Sequence, residues 1–327
     1  MCHNGPVKHA LLVLAGALLF GTTGTAQTFA PAGAESLSIG AARIAFGGLI
    51  LAVVGYVARV RRQQRTNMQP VDQLSQTGGA GTRGQARPNY RKHHAISGLT
   101  WRTAIAVVAG AAVVCGYQGV FFAGTRANGV MVGTVLALGS SPLFTGVFEW
   151  VVLRSRPTRR WAVATVLAVA GLVALSWTTD LQPIDPGGVA LSLTAGACYA
   201  VLAVATKWLL EHGWHPMDTA AAIMGVGSVI GFVMLATTDT SWLAQPYGIA
   251  VTAWLAIATI GAASLLMTTG MAGLSAASTT TLGLAEPATA TVLGVTVLGE
   301  LMTGVRALGL AAVAAGVLIA GWPRRRQ

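Results

Sequence analysis

Charge is what this chain is short of. Only 9% of its 327 residues are Asp, Glu, Lys or Arg, and just 10 of them are acidic, whereas soluble domains carry about 25% charged residues. Beside 54% hydrophobic residues and a mean hydropathy of +0.63, that shortage excludes a water-soluble globule. Cysteine is as thin: Cys2 lies at the terminus, and Cys115 and Cys198 sit inside apolar runs, so no disulfide framework is expected. The chain also lacks a Walker-type nucleotide loop, a His–Glu pair at metal spacing and a Gly-x-Ser-x-Gly elbow. It is therefore read as neither an enzyme nor an ATP-driven pump, with no metal and no cofactor.

What is present is a series of apolar runs of about 20 residues, the length that spans about 30 Å of hydrocarbon. Ten are read, at about 9–30, 37–59, 103–124, 129–153, 161–177, 188–209, 218–237, 248–271, 276–298 and 306–322. They are continuous rather than alternating, which excludes a membrane β-barrel and predicts an all-α membrane protein with ten transmembrane helices. The net charge of +11 would suggest nucleic acid in a soluble chain, but here the bases lie in the gaps between runs, so no nucleic acid is expected. With the amino terminus inside, 18 of the 21 bases fall on the inner side, leaving only Arg43, Arg126 and Arg306 elsewhere. The positive-inside rule then places both termini in the cytoplasm of a bacterial-type inner membrane. Eight of nine tryptophans, among them Trp161, Trp177, Trp242 and Trp322, fall near run ends, where the headgroup level favours them. Lys8 followed by Leu11–Phe20 resembles a secretory signal, but cleavage would leave an odd number of spans, so retention is expected.

The end of the chain repeats an earlier part of it. Ser141–Trp177 can be laid on Glu286–Trp322 without a gap at a constant offset of 145 positions, matching Pro142 with Pro287, Thr158 with Thr303, Gly171 with Gly316 and Trp177 with Trp322. Five spans per half is odd, so the copies enter the bilayer from opposite sides, and the fold is expected to be two inverted five-helix repeats. Residues 1–177 form the first, interrupted by a disordered basic cytoplasmic loop at 60–100; 188–322 form the second, and 323–327 a basic tail. Inverted repeats supply two nearly equivalent conformations around a midplane site, the physical basis of alternating access.

The lining of that site is expected where polar groups enter apolar helices. Glu286 lies near mid-bilayer, where a carboxyl is costly and usually faces a pathway or a partner. It is a candidate proton carrier, a counter-charge for a substrate, or one half of a buried pair with Arg43. Gln27, Tyr117, Gln118 and Tyr199 are the large polar side chains hardest to place against lipid, and join Glu286 as substrate-binding candidates. Pro142 and Pro287 each leave a carbonyl four residues back without its donor, at Leu138 and Gly283, and are candidate kink or gating positions. Glu149, beside Trp150 and near Arg154 and Arg156, reads as an interfacial salt-bridge residue, and Lys207 as a snorkelling one.

Glu286-Pro287, then Val297-Leu298-Gly299-Glu300, Gly309 and Gly316, are similar to the carboxy-terminal half of the EamA family of the drug/metabolite transporter superfamily. Phe20-Gly21, Ala42-Arg43 and Ser141-Pro142 are similar to positions in its first half. The chain departs from the family at Ser155, where an acid matching Glu300 is common, and in its long basic loop. The resemblance implies export or exchange of small polar metabolites such as amino acids, without an ATPase. Expected partners are a small-molecule substrate and the lipid bilayer, with proton coupling and a homodimer left open. A passive channel and a non-transporting membrane scaffold are the alternatives.

Overall fold

A computed structural model describes residues 5–67, 100–177 and 184–322; Gly78–Gly81, Arg91–His94, Asp180 and the 323–327 tail lie outside these residues. The described residues are all helical or connecting, with no strand among them. α1 (Gly5–Thr28) and α2 (Ser36–Asn67) are followed by α3 (Trp101–Leu153), α4 (Arg159–Leu175), α5 (Pro186–Glu211) and α6 (Pro216–Leu235). After a 3-10 turn at Ser241–Ala244 come α7 (Pro246–Trp254), a π-helical stretch (Leu255–Ala263), α8 (Ser264–Met271), α9 (Ala276–Gly283), α10 (Ala285–Val297) and α11 (Gly304–Gly321). Among the described residues, seven stretches, one of them the 53-residue α3, are long and apolar enough to cross a membrane.

Two of the expected spans merge in α3. Gly129 takes φ +79° and ψ 155° there, outside helical values. A Cβ on Gly133 would lie 2.8 Å from Thr125 Cα, although eight residues of straight helix would separate the two by about 12 Å. The chain therefore doubles back at Asn128-Gly129, and α3 is a helical hairpin. The expected 276–298 run is likewise divided, into α9 and α10, just before Glu286 and Pro287.

Helix starts follow local chemistry. Thr158 and Thr303, equivalent positions in the repeat, each cap a helix by accepting a backbone N–H three residues on, from Trp161 and Arg306. Asp185 caps α5 ahead of Pro186 at the first turn, where a missing N–H costs nothing. One expectation is corrected: Val60–Asn67, expected at the start of an unstructured loop, continues α2. Arg61, Gln63, Gln64 and Arg65 are good helix formers extending an existing nucleus, and Arg62 is held at 2.5 Å to Asp218 of α6. Trp242 is fully buried within the protein and donates to Ser38 Oγ at 2.9 Å.

Glycine sets the closest helix contacts. A Cβ on Gly171 of α4 would meet Val313 N at 2.6 Å and Gly309 O at 2.7 Å in α11; one on Gly316 of α11 would meet Ala168 N at 2.8 Å and Ala164 O at 2.7 Å in α4. Shifted by the 145-position offset, these are the same contact with the helices exchanged, atom for atom. Such small-residue contacts let membrane helices approach at backbone distance. Gly171→Leu is expected to cost about 1–3 kcal/mol through overpacking, seen as a lower thermal midpoint in detergent. Gly24→Leu, at a position with open space around it, should leave the midpoint unchanged.

Candidate functional site

A cavity of about 140 Å³ lies among α1, α2, both arms of α3, α5, α6, the π-helical stretch and α8–α10. If one water takes about 10–15 Å³ by this measure, there is room for about ten waters, the scale of a small metabolite. Its wall is apolar where Phe20, Ile44, Leu202, Met224 and Met267 face it. Polar groups converge on it from several helices: Arg43, Tyr117, Gln118, Tyr199, Ser264, Thr268, Thr279, Thr280 and Glu286.

Local sequence explains several of these placements. The α9–α10 break exposes the turn before Pro287, whose missing N–H leaves the Gly283 carbonyl without its helical donor. A Cβ on Gly283 would stand 3.6 Å from Tyr199 Oη, so that hydroxyl lies beside the break. Across it, a Cβ on Gly21 would be 2.7 Å from Glu286 O and 2.5 Å from Thr289 Cβ, so α1 packs directly on the turn that presents Glu286. In the first copy the matching position is differently solved. Ser141, the counterpart of Glu286, donates its hydroxyl to Leu138 O at 2.8 Å, satisfying the carbonyl that Pro142 frees, and α3 runs on as helix. On the opposite wall, π-helical winding at Leu255–Ala263 precedes the Ser264 and Thr268 that line the cavity, and such winding occurs frequently at functional sites.

Arg43 and Glu286 are the two formal charges on the lining. They form no ion pair within 4.0 Å, and Arg43 Nε is buried without a hydrogen-bond partner. The expected alternative of a closed structural pair is therefore not the observed geometry. Of the substrate-binding candidates read from the sequence, Glu286, Tyr117, Gln118 and Tyr199 are brought together here. Gln27 is not: it sits near the end of α1, where its carbonyl accepts from Ala30 N at 3.0 Å. Arg43 was legible in the sequence only as a partner for Glu286, and its place on the lining is new. Tyr117 stacks on Phe121 one turn away, with ring centroids 5.3 Å apart, and Gln118 packs against Gly40, where a Cβ would be 3.3 Å from its amide.

One further expectation changes. Glu149 makes no salt bridge at the interface; it is buried, and its carboxylate oxygens accept from Ala276 N at 3.1 Å and Ala277 N at 2.8 Å, at the amino end of α9. Those donors have no intrahelical acceptor, which is why a carboxylate is stable there. Lys207, expected to snorkel, reaches Met271 O at 3.3 Å and the half-exposed Glu211 at 3.7 Å.

Comparison with known proteins gives a consistent picture. The EamA-like transporter family profile matches residues 86–177 and 186–322. The uncharacterized transporter YwfM of Bacillus subtilis (strain 168) is 30% identical over 98% of this chain and 95% of its own length. The threonine/homoserine exporter RhtA of Salmonella typhimurium (strain SL1344) is 33% identical over 51% of this chain and 55% of its own. A solved crystal structure superposes with a TM-score of 0.71 at 18% identity, covering 95% of this chain and 96% of that one, and so shares the fold.

Proposed function

Because the chain belongs to the EamA-like transporter family, we propose that it is a secondary transporter exporting or exchanging a small zwitterionic metabolite of the amino-acid class by alternating access. One observation carries the reading: Arg43 and Glu286 face the same small cavity, opposite in charge and unjoined. Charges inside a membrane need partners, and a molecule bearing both a carboxylate and an ammonium group supplies both at once. The carboxylate meets the guanidinium, whose planar fork suits two parallel hydrogen bonds. The ammonium meets Glu286, and the Tyr117, Gln118 and Tyr199 side chains complete the polar contacts.

Ten crossings in two inverted halves, 1–177 and 188–322, are part of the same reading. The exchanged contacts of Gly171 and Gly316 support it, since helices related by an axis in the membrane plane must meet antiparallel and identically. The division of the family match between 177 and 186 supports it too. The distribution of bases supports an inner-membrane protein with cytoplasmic termini. The exporter RhtA, similar over half this chain, lends weight to amino acids over other zwitterions.

Counterflow tests the function. Proteoliposomes preloaded with an unlabelled mixture of amino acids should accelerate uptake of at least one labelled amino acid. Uptake that is downhill only, with no trans-stimulation, would identify a passive channel; no flux of any amino acid or amine would sink the transport reading.

A further inference from the structure

We infer that Glu149 and Trp161 are gating residues: they latch the first turn of α9 and so close the pathway at the end of the molecule that carries the basic Arg154–Arg160 turn. The inference rests on the transport reading above and concerns which end is shut, and by what.

The partition at that end is one turn thick. Outside it lies a second cavity of about 300 Å³, a polar recess lined by Glu149, Arg156, Thr158, Ala277 and Ser278 among others. Inside it, Thr279 and Thr280 line the central cavity. Four consecutive residues of α9 thus divide between the two spaces, and whatever holds that turn in place separates them.

What holds it comes from the first half of the chain. Ser275 caps α9 from within by accepting from Ser278 N at 3.1 Å. The remaining donors, Ala276 N and Ala277 N, go to the two Glu149 oxygens at 3.1 and 2.8 Å, from the second arm of α3. The carbonyl of the same residue is gripped from α4, where Trp161 Nε1 donates to Ala277 O at 3.0 Å. The indole is itself seated on Gly146, where a Cβ would lie 2.6 Å from the ring. One turn deeper, Thr165 and Thr281 hydroxyls meet at 2.8 Å. Hydrogen bonds to a carboxylate are roughly twice as strong as neutral ones, and Glu149 also lies at the positive end of the helix dipole.

The opposite end lacks this latch, and the repeat shows why. At the 145-position offset Glu149 corresponds to Gly294 and Trp161 to Arg306. Gly294 offers no side chain, and its neighbourhood is filled by Glu300, whose carboxyl carbon a Cβ there would approach at 3.1 Å. Arg306 bonds Glu300 at 3.3 Å and Leu301 O at 3.2 Å, both within its own half. A carrier with two inverted halves keeps one end shut at a time. Among the described residues, side-chain bonds from the second arm of α3 and from α4 onto α9 lie at the Glu149 end, while at the other end the halves meet through Asn128 and the Asp185 backbone, at 2.7 and 3.0 Å, and through Ser38 and Asp239 O, at 2.9 Å, with no carboxylate of one half seated on a helix start of the other.

The native Cys198, on the central cavity, is a ready reporter. In full-length protein with Cys2 and Cys115 replaced by Ser, a membrane-impermeant maleimide is applied separately to each face of sealed vesicles, the faces identified by protease cutting of a carboxy-terminal tag. Glu149→Gln should raise Cys198 labelling from the Arg154–Arg160 face about tenfold, as expected for losing charged hydrogen bonds, and lower it from the other face. Trp161→Phe, which deletes one hydrogen bond and keeps the ring, should move both rates the same way by a smaller factor and decides the matter if the Glu149 variant does not fold. Labelling unchanged from both faces, or raised from both, overturns the inference. The readout needs no substrate, so a failed gate and a failed transport assay are distinguishable.

Discussion

Glu286→Gln is expected to reduce transport roughly 10- to 150-fold while the protein still folds. The substitution keeps size and shape, so the α9–α10 break, Pro287 and the close seat of Gly21 on the Glu286 carbonyl are undisturbed. What is lost is a negative charge in a cavity where the other formal charge is Arg43. A hydrogen bond to a charged group contributes about 1.5–3 kcal/mol, and each 1.36 kcal/mol is tenfold, which gives that range. The assay also separates two roles for the carboxylate. If Glu286 carries the proton, labelled exchange across equal pH should survive in the Gln variant while net export driven by a pH gradient disappears. If it holds the substrate ammonium, both should fall together. Wild-type rates in both assays would show that neither role is real and that the carboxyl is merely tolerated.

The features that sequence made legible are those set by local chemistry or by arithmetic along the chain. Apolar length marks where helices lie, and the alignment of Thr158 with Thr303 pairs two positions that both turn out to cap helices. The 145-position offset anticipated which glycines would be equivalent, and the Gly171 and Gly316 contacts obey it. Glu286, Tyr117, Gln118 and Tyr199 were legible because a large polar group in an apolar helix has few places to go.

Two of the features hidden from the sequence depend on a partner far away in it. Glu149 is surrounded along the chain by Trp150, Arg154 and Arg156, which point to an interface, yet its partners are backbone N–H groups 127 and 128 residues away. Arg43 could be given no depth relative to Glu286 until α2 and α10 were packed. Gln27 is large and polar like the lining residues, but its position near the end of α1 leaves it off the cavity lining. The π-helical winding left no mark, because in a segment apolar on all sides a change of period moves no polar residue to a visibly different place.

Arg43→Gln should weaken transport of a zwitterionic amino acid by a similar factor, roughly 10- to 150-fold, read as a rise in half-saturation, and change that of the corresponding amine without a carboxyl by less than about threefold. The reason is geometric. The guanidinium is the cation on the cavity lining, and its Nε has no hydrogen-bond partner among the described residues, so a substrate carboxylate meets a guanidinium not already held by a protein carboxylate. Arg43→Lys should fall between, since an ammonium keeps the charge and loses the planar fork. Equal losses for both substrates would mean that Arg43 supports the fold rather than the carboxylate. Stability gives an independent check. Were the two charges a structural pair, removing either would strand the other at a cost of about 3–5 kcal/mol, and removing both would restore the loss. With the pair unjoined, Arg43→Gln, Glu286→Gln and the double variant should all unfold within a few degrees of wild type. The double variant's defect in transport should nonetheless be at least as large as that of either single one, since both ends of the substrate then lack their partners.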